Sequence, residues 1–99
     1  MCNINLLYDD VLNDVDVVCV PACVAEDIMS VTQKFFSWMN NKDNIHDYRV
    51  TNAKGETVLV IETESFIWWL NEHFIKSDKK AFIVSQHGEF NPDYPTAYF

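Results

Sequence analysis

Phe66-Ile67-Trp68-Trp69-Leu70 places five large apolar side chains in succession near the start of a predicted helix. We predict this helix over residues 64 to 76, with Thr63 as its N-terminal cap and the polar run Ser77-Asp78-Lys79-Lys80 after its end. So many large side chains within about one and a half turns exceed what a single core-facing stripe can take. Some of them must be covered by another segment of the chain or by another protein.

The two sides of this predicted helix differ in their apolar content. At about 100° per residue, one side carries Phe66, Ile67, Leu70, His73 and Phe74, with Trp69 at its edge. Trp68 and Ile75 fall together on the opposite side. We expect these two residues either to form an exposed apolar patch for protein binding or to be covered by a loop or the C-terminal segment. Met29 and Phe36 extend this patch if the two helices of the chain lie side by side.

A second apolar block lies upstream, at Val15-Asp16-Val17-Val18-Cys19-Val20, and Pro21 closes it. Its β-branched residues and nearly continuous apolar character predict a central strand that is covered on both faces. Residues 22 to about 41 then form the clearest helix of the chain. Its apolar residues recur at alternating spacings of four and three, at Val24, Ile28, Val31, Phe35 and Trp38.

Three further features are predicted in the second half of the chain. Residues 48–52 and 57–62 flank Gly55, which predicts a β-hairpin with a tight turn at the glycine. The apolar run from residue 81 to 85 predicts another strand. Residues 87–99 form an aromatic C-terminal arm, which we expect to lie across the domain or on a partner, because a solvated tail rarely carries the aromatic residues Phe90, Tyr94, Tyr98 and Phe99.

These elements predict an α+β fold in a single domain spanning residues 1–99. Their order, β-α-β-β-α-β, places two helices on a four- or five-stranded, mainly antiparallel sheet, as in a ferredoxin-like sandwich. The alternative is an open antiparallel sheet that includes residues 3–8, with the same helices in another order.

The charge of the chain is strongly asymmetric. The net charge is −8, and residues 1–33 carry six acids and no base, whereas residues 34–99 carry nine acids and seven bases. A basic surface suited to phosphates is absent, so we expect no direct binding to nucleic acid or to a membrane surface. A partner protein with a basic surface is favoured instead. Without a long apolar run or a secretion signal, the chain is expected to be cytoplasmic.

Candidate catalytic and metal-binding residues are few. Cys23 lies in the first turn of the predicted first helix, where a thiolate is favoured, so a small cysteine- or metal-dependent enzyme would use Cys23 with a histidine. No cysteine or histidine spacing typical of a metal site is present, and the aspartates near residue 10 lack the spacing of a calcium loop. We therefore predict no cofactor, no metal and no catalytic residue.

The interpretation that remains is a small acidic, non-enzymatic protein that binds another protein. Its expected contact residues are Trp68, Ile75, Met29, Phe36, Asp9, Asp10, Asp14, Asp16, Tyr94 and Phe99. One version is an inhibitor of a nucleic-acid-handling protein that mimics the negative charge of DNA, as small acidic phage inhibitors such as anti-CRISPR proteins do; the analogy rests on size and charge. Another version is a homodimer with Trp68 buried across a two-fold axis.

Overall fold

A computed structural model describes residues 1–8, 14–44 and 46–99, and six strands and three α-helices lie in these ranges. In chain order the elements are β1 (Cys2–Leu7), β2 (Val15–Val20), α1 (Ala22–Glu26), α2 (Ile28–Asn40), β3 (Arg49–Thr51), β4 (Thr57–Leu59), α3 (Thr63–Trp69), a π-helical turn (Leu70–Phe74), β5 (Phe82–Gly88) and β6 (Thr96–Tyr98). The fold is α+β, as the sequence predicts.

A four-stranded sheet with the order β5-β2-β1-β6 forms the centre of the molecule. β2 pairs antiparallel with both β1 and β5, and all six of its residues are buried. This confirms the prediction of a central strand covered on both faces. β6 pairs parallel with β1, with Asn5 opposite Thr96, so the sheet is mixed rather than wholly antiparallel.

The ferredoxin-like arrangement is not formed, because the β3–β4 hairpin stands outside the main sheet as a two-stranded sheet. Both hairpin strands have three residues, and the opposed Val50 and Val58 are each 43% exposed. Such a short, solvent-exposed hairpin contributes little apolar surface to the core. β1 instead supplies Ile4 and Leu6, which are fully buried. The alternative sheet that includes residues 3–8 therefore comes closer to the structure.

The two expected helices are both interrupted. The helix predicted over 22–41 is divided at Asp27, whose backbone has φ −130° and ψ 42°, and nothing in the structure explains this break. The second helix begins one residue earlier than expected, because Glu62 rather than Thr63 is its cap. Glu62 and Ser65 form a reciprocal capping box. The helix then continues as the π-helical turn and ends before Ile75.

The core lies between one face of the sheet and the helices. Phe35 of α2 is fully buried at its centre, and its ring centroid lies 5.1 Å from that of Phe66 and 5.5 Å from that of Trp69. Burying each of these rings contributes roughly 2–3 kcal/mol. The large apolar side chains of residues 66–70 therefore belong largely to the core, where they pack α3 against α2.

The opposite face of the sheet contacts the segment that precedes β6. Side chains alternate along β1, so Asn5 points away from Ile4 and Leu6. Asn5 is fully buried, and its amide nitrogen donates to the carbonyl oxygen of Asn91 at 2.8 Å. The Asn3 amide donates to the Tyr94 hydroxyl at 3.4 Å. These bonds fix residues 91–95 on the sheet before the chain enters β6.

Candidate functional site

An acidic pocket lies where the ends of β1 and β5 and the start of β2 meet the start of α3. It is a cavity of about 250 Å³. Its lining residues are Tyr8, Asp14, Asp16, Glu62, Thr63, Glu64, Gln86 and His87. The pocket therefore collects side chains from four separate parts of the chain.

Asp16 forms the floor of the acidic pocket and is 7% exposed. One carboxylate oxygen accepts a short hydrogen bond from the Thr63 hydroxyl, and the other accepts from the backbone N–H of His87 at 3.1 Å. A buried carboxylate needs such donors to offset its lost hydration. Asp16 consequently ties the start of α3 and the end of β5 to the central strand.

A chain of hydroxyl groups extends from this floor to Tyr8. The Tyr8 hydroxyl lies 2.6 Å from Oγ1 of Thr63. Because the Thr63 proton is directed to Asp16, Tyr8 is the donor in this pair. Burial raises the pKa of Tyr8 to about 12, and the carboxylates of Asp16, Glu64 and Glu62 act in the same direction. Tyr8 is therefore a neutral hydrogen-bond donor at physiological pH.

His87 and Asp14 form an exposed pair at the rim. Nδ1 of His87 lies 2.6 Å from Oδ1 of Asp14. This hydrogen bond and the charge of Asp14 raise the pKa of His87, with smaller contributions from Asp16 and Glu64. His87 also has φ 58°, in the left-handed region that non-glycine residues seldom occupy. The hydrogen bonds to Asp14 and Asp16 hold the residue in this conformation.

The electrostatic character of the pocket follows from its lining. Asp14, Asp16, Glu62 and Glu64 contribute four carboxylates, and no lysine or arginine lines the cavity among the described residues. Glu62 and Glu64 are exposed at the rim, and Glu64 accepts a hydrogen bond from Gln86 at 3.0 Å. A concave site of this sign attracts a cationic group such as a lysine or arginine side chain.

Two of the predicted contact residues lie in the lining of this pocket. Asp14 and Asp16 were expected contact residues and line the pocket, while Asp9 and Asp10 lie outside the described residues. The glutamates at 62 and 64 were missed as site residues, because acids at the start of a helix are already explained by its dipole. A sequence signal is nevertheless present, since two acids flank one threonine where a predicted strand ends and a predicted helix begins.

The expected exposed pair of Trp68 and Ile75 is not formed. Ile75 is 8% exposed and belongs to the core, because the chain leaves the helix at this residue and turns it inward. Trp68 is half-buried, and its ring lies 5.7 Å from that of Trp38 and 5.5 Å from that of Tyr48. Helix α2 and the segment before β3 therefore cover much of Trp68, which leaves little of the expected patch.

Of the remaining expected apolar contacts, Met29, Phe36 and Phe99 lie on the side of the molecule formed by α2 and β6, whereas Tyr94 lies on the opposite face of the sheet, where its hydroxyl accepts from Asn3. Met29 is 71% exposed, and it lines a groove of about 170 Å³ together with Phe36 and Tyr98. Phe36 is half-buried against Phe99, with ring centroids 5.5 Å apart. Tyr94 and Phe99 are also half-buried, and Phe99 packs on Phe66 at 5.2 Å. Met29 and Tyr98 are thus the exposed large hydrophobic residues of this groove.

The candidate enzyme residues are dispersed. Cys23 is exposed in α1, and no hydrogen bond joins its thiol to a histidine in the part of the chain that the structure describes. His46 and His73 instead lie against Trp38, at 5.4 Å and 4.4 Å between ring centroids. Among residues 1–8, 14–44 and 46–99, no group of three His, Cys, Asp or Glu side chains has the arrangement of a metal site.

Two further findings bear on the class of the protein. No helix within the described ranges has both the length and the apolar character needed to cross a membrane. Comparison with family models, with curated proteins and with solved structures gives no match to this chain.

Proposed function

We propose that this chain is a non-enzymatic binding protein whose acidic pocket receives a lysine or arginine side chain from a partner protein with a basic surface. The observation that carries this proposal is the convergence of Asp14, Asp16, Glu62 and Glu64 on one cavity that no lysine or arginine lines among the described residues. The net charge of −8 adds long-range attraction to a basic partner.

The roles of the pocket residues follow from their exposure. Asp16 is held rigidly by two hydrogen bonds and supplies a fixed negative charge at the floor. The exposed rim carboxylates of Glu62 and Glu64 accept hydrogen bonds from the backbone N–H of Ser65 and from the Gln86 amide, respectively, and each carboxylate has further lone pairs with which to bind a cation. An exposed ion pair contributes only about 0.2–1 kcal/mol, but losing one member of a desolvated interfacial pair costs roughly 2–5 kcal/mol. Binding that covers the rim would therefore depend strongly on these two glutamates.

A specific version of this function is inhibition of a nucleic-acid-handling protein by charge mimicry. A groove built to bind phosphates presents lysine and arginine side chains, and the carboxylates of the pocket would occupy their positions. The small size and negative charge of the chain suit an anti-defence protein of a phage or mobile element. We place this function in the cytoplasm, because the three cysteines are free thiols.

Affinity capture with matched variants tests the proposal. The immobilised wild-type chain, a Glu62→Gln/Glu64→Gln variant and a Glu26→Gln/Glu72→Gln control are exposed to a lysate of the native host. Both double variants lose the same charge, and glutamine retains the oxygen acceptors that cap α3 and bond Gln86. We expect a basic protein that the wild type and the control retain and that the pocket variant binds at least about tenfold more weakly.

Two further readouts separate the versions of this function. Double-stranded DNA should displace the captured protein if the inhibitor occupies a phosphate-binding groove, and the mimicry version fails if DNA has no effect. Cys23→Ala should leave capture unchanged. Equal capture by both double variants would contradict a role for the pocket, and an enzymatic activity that Cys23→Ala abolishes in a folded protein would contradict the non-enzymatic assignment.

A further inference from the structure

The acidic pocket contains one group of its own that can carry a positive charge. No lysine or arginine lines it within the described ranges, but the ring of His87 does so at the rim. Nδ1 of His87 lies 2.6 Å from Oδ1 of Asp14, a separation as short as that of a charge-assisted hydrogen bond. When the imidazole is protonated, an internal ion pair therefore lies where the cation of a partner would bind.

The backbone of His87 is anchored, whereas its ring is free to leave Asp14. The backbone N–H of His87 donates to the Asp16 carboxylate at 3.1 Å, and Gly88 pairs with Val15 of β2. The His87 side chain is 79% exposed, and that of Asp14 is 58% exposed. Exposed pairs of this kind are weak, so little free energy opposes their separation. The ring can therefore move out while the floor of the pocket stays intact.

The surroundings of His87 favour its charged form. The charged side chains that face it come from the segment before β2, from β2 and from the start of α3, and all are carboxylates: Asp14, Asp16, Glu62 and Glu64. Tyr8 of the pocket is neutral at physiological pH, and β5 itself contains no other charged residue. The hydrogen bond and charge of Asp14, with smaller contributions from Asp16 and Glu64, raise the pKa of His87 above 6.5. A second cation beside the ring would reverse this effect.

We propose that protonated His87 is the resident cation of the acidic pocket, and that an incoming lysine or arginine side chain displaces it from Asp14 with release of the Nδ1 proton to water. This inference rests on the proposed function and adds a pH dependence to it. The complex holds one proton fewer than the free protein, so a higher pH favours binding. The affinity should rise as the pH increases from 6.5 through the raised pKa of His87, and it should be constant above that pKa.

Isothermal titration calorimetry with an acetylated, amidated hexa-arginine peptide tests this proposal. The charge of this probe is constant from about pH 6 to about pH 9, and low salt preserves its attraction to the pocket. The dissociation constant should fall by up to about tenfold per pH unit between 6.5 and the raised pKa. Phosphate and Tris buffers differ in their enthalpy of ionisation, so titrations in both count the protons released. We expect a value approaching about one proton per bound peptide.

His87→Asn is the matched variant. Asparagine tolerates the positive φ of this position, retains the backbone N–H that bonds Asp16, and has no titratable group. It should bind the peptide equally tightly at every pH, with no proton released. His73→Asn is the control, because His73 is an exposed histidine outside the pocket lining, and it should keep the pH dependence of the wild type. Circular dichroism checks that each variant remains folded.

The possible outcomes separate this inference from the proposed function. Peptide binding that requires Glu62 and Glu64 but is independent of pH and releases no proton overturns the inference alone. A pH dependence that persists in His87→Asn overturns it as well. Peptide that binds at no pH, or that binds Glu62→Gln/Glu64→Gln as tightly as the wild type, contradicts the proposed function and this inference together. Asp14→Asn gives a second test, since the variant should release less of a proton at about pH 7.

Discussion

At the scale of single residues, Asp16 links the stability of the fold to the chemistry of the pocket. It is the one charged residue in β2, and the sequence marks it as unusual because every neighbour in that strand is apolar. Its bonding partners could not be predicted, since Thr63 lies 47 residues away and His87 lies 71 residues away. A polar residue in a buried strand indicates that partners exist, but only tertiary structure identifies them.

The rim pair of His87 and Asp14 makes a pH-dependent prediction. Asp14→Asn should lower the pKa of His87 towards its ordinary value of 6.5, because the hydrogen bond and charge of Asp14 are the main causes of the raised value. In the wild type, the folded pKa lies above the unfolded one. The pair therefore adds stability that is fully present below pH 6.5 and is lost as the pH rises through the raised value.

An NMR titration of the His87 ring measures this shift directly. Asp93→Asn serves as the control, because Asp93 is an exposed carboxylate that is absent from the groups that shift the pKa of His87. A His87 pKa that does not change in Asp14→Asn would contradict the pairing.

At the scale of secondary structure, local periodicity predicted individual strands and helices, but it did not predict which strands pair. The strand at 15–20, the hairpin at Gly55 and the apolar stripe of α2 were all found because their signals lie within short windows. The sheet order was not, since β1 pairs with β6 at a separation of 91 residues between Asn5 and Thr96. The π-helical turn had no sequence signal, and it redirected Ile75 from the expected surface into the core.

This redirection predicts opposite outcomes for two of the expected contact residues. Ile75→Ala should lower the free energy of unfolding by about 2–5 kcal/mol, because a side chain that is 92% buried leaves a cavity when it is truncated. Met29→Ala should change it by less than about 0.5 kcal/mol, because Met29 is 71% exposed. Urea denaturation of both variants measures the difference. Similar losses in the two would show that Ile75 is not a core residue.

At the scale of the whole molecule, charge asymmetry was the most useful sequence observation. It pointed to Asp14 and Asp16, which line the pocket, but not to Glu62 and Glu64, whose region carries nearly balanced charge. The position of a carboxylate on the folded surface depends on which elements meet there. The acidic third of the chain and the start of α3 become one site only after the sheet has formed.

The net charge of −8 predicts a salt-dependent association with the basic partner. The association rate constant should fall steeply as NaCl is raised from low to physiological ionic strength, while the dissociation rate should change much less. Stopped-flow or surface-plasmon measurements separate the two rates. An association rate that is independent of salt would argue against electrostatic steering.

The parallel pairing of β6 with β1 has a consequence for how the chain acquires its structure during synthesis. β1 is translated well before β6, and one side of it stays unpaired until residues 96–98 have left the ribosome. Contacts between such distant segments form slowly, because a long loop must close before they contribute any free energy. A nascent chain that has not yet extended to β6 therefore presents an open β1 edge beside apolar side chains, the kind of edge that favours aggregation while it stays unpaired.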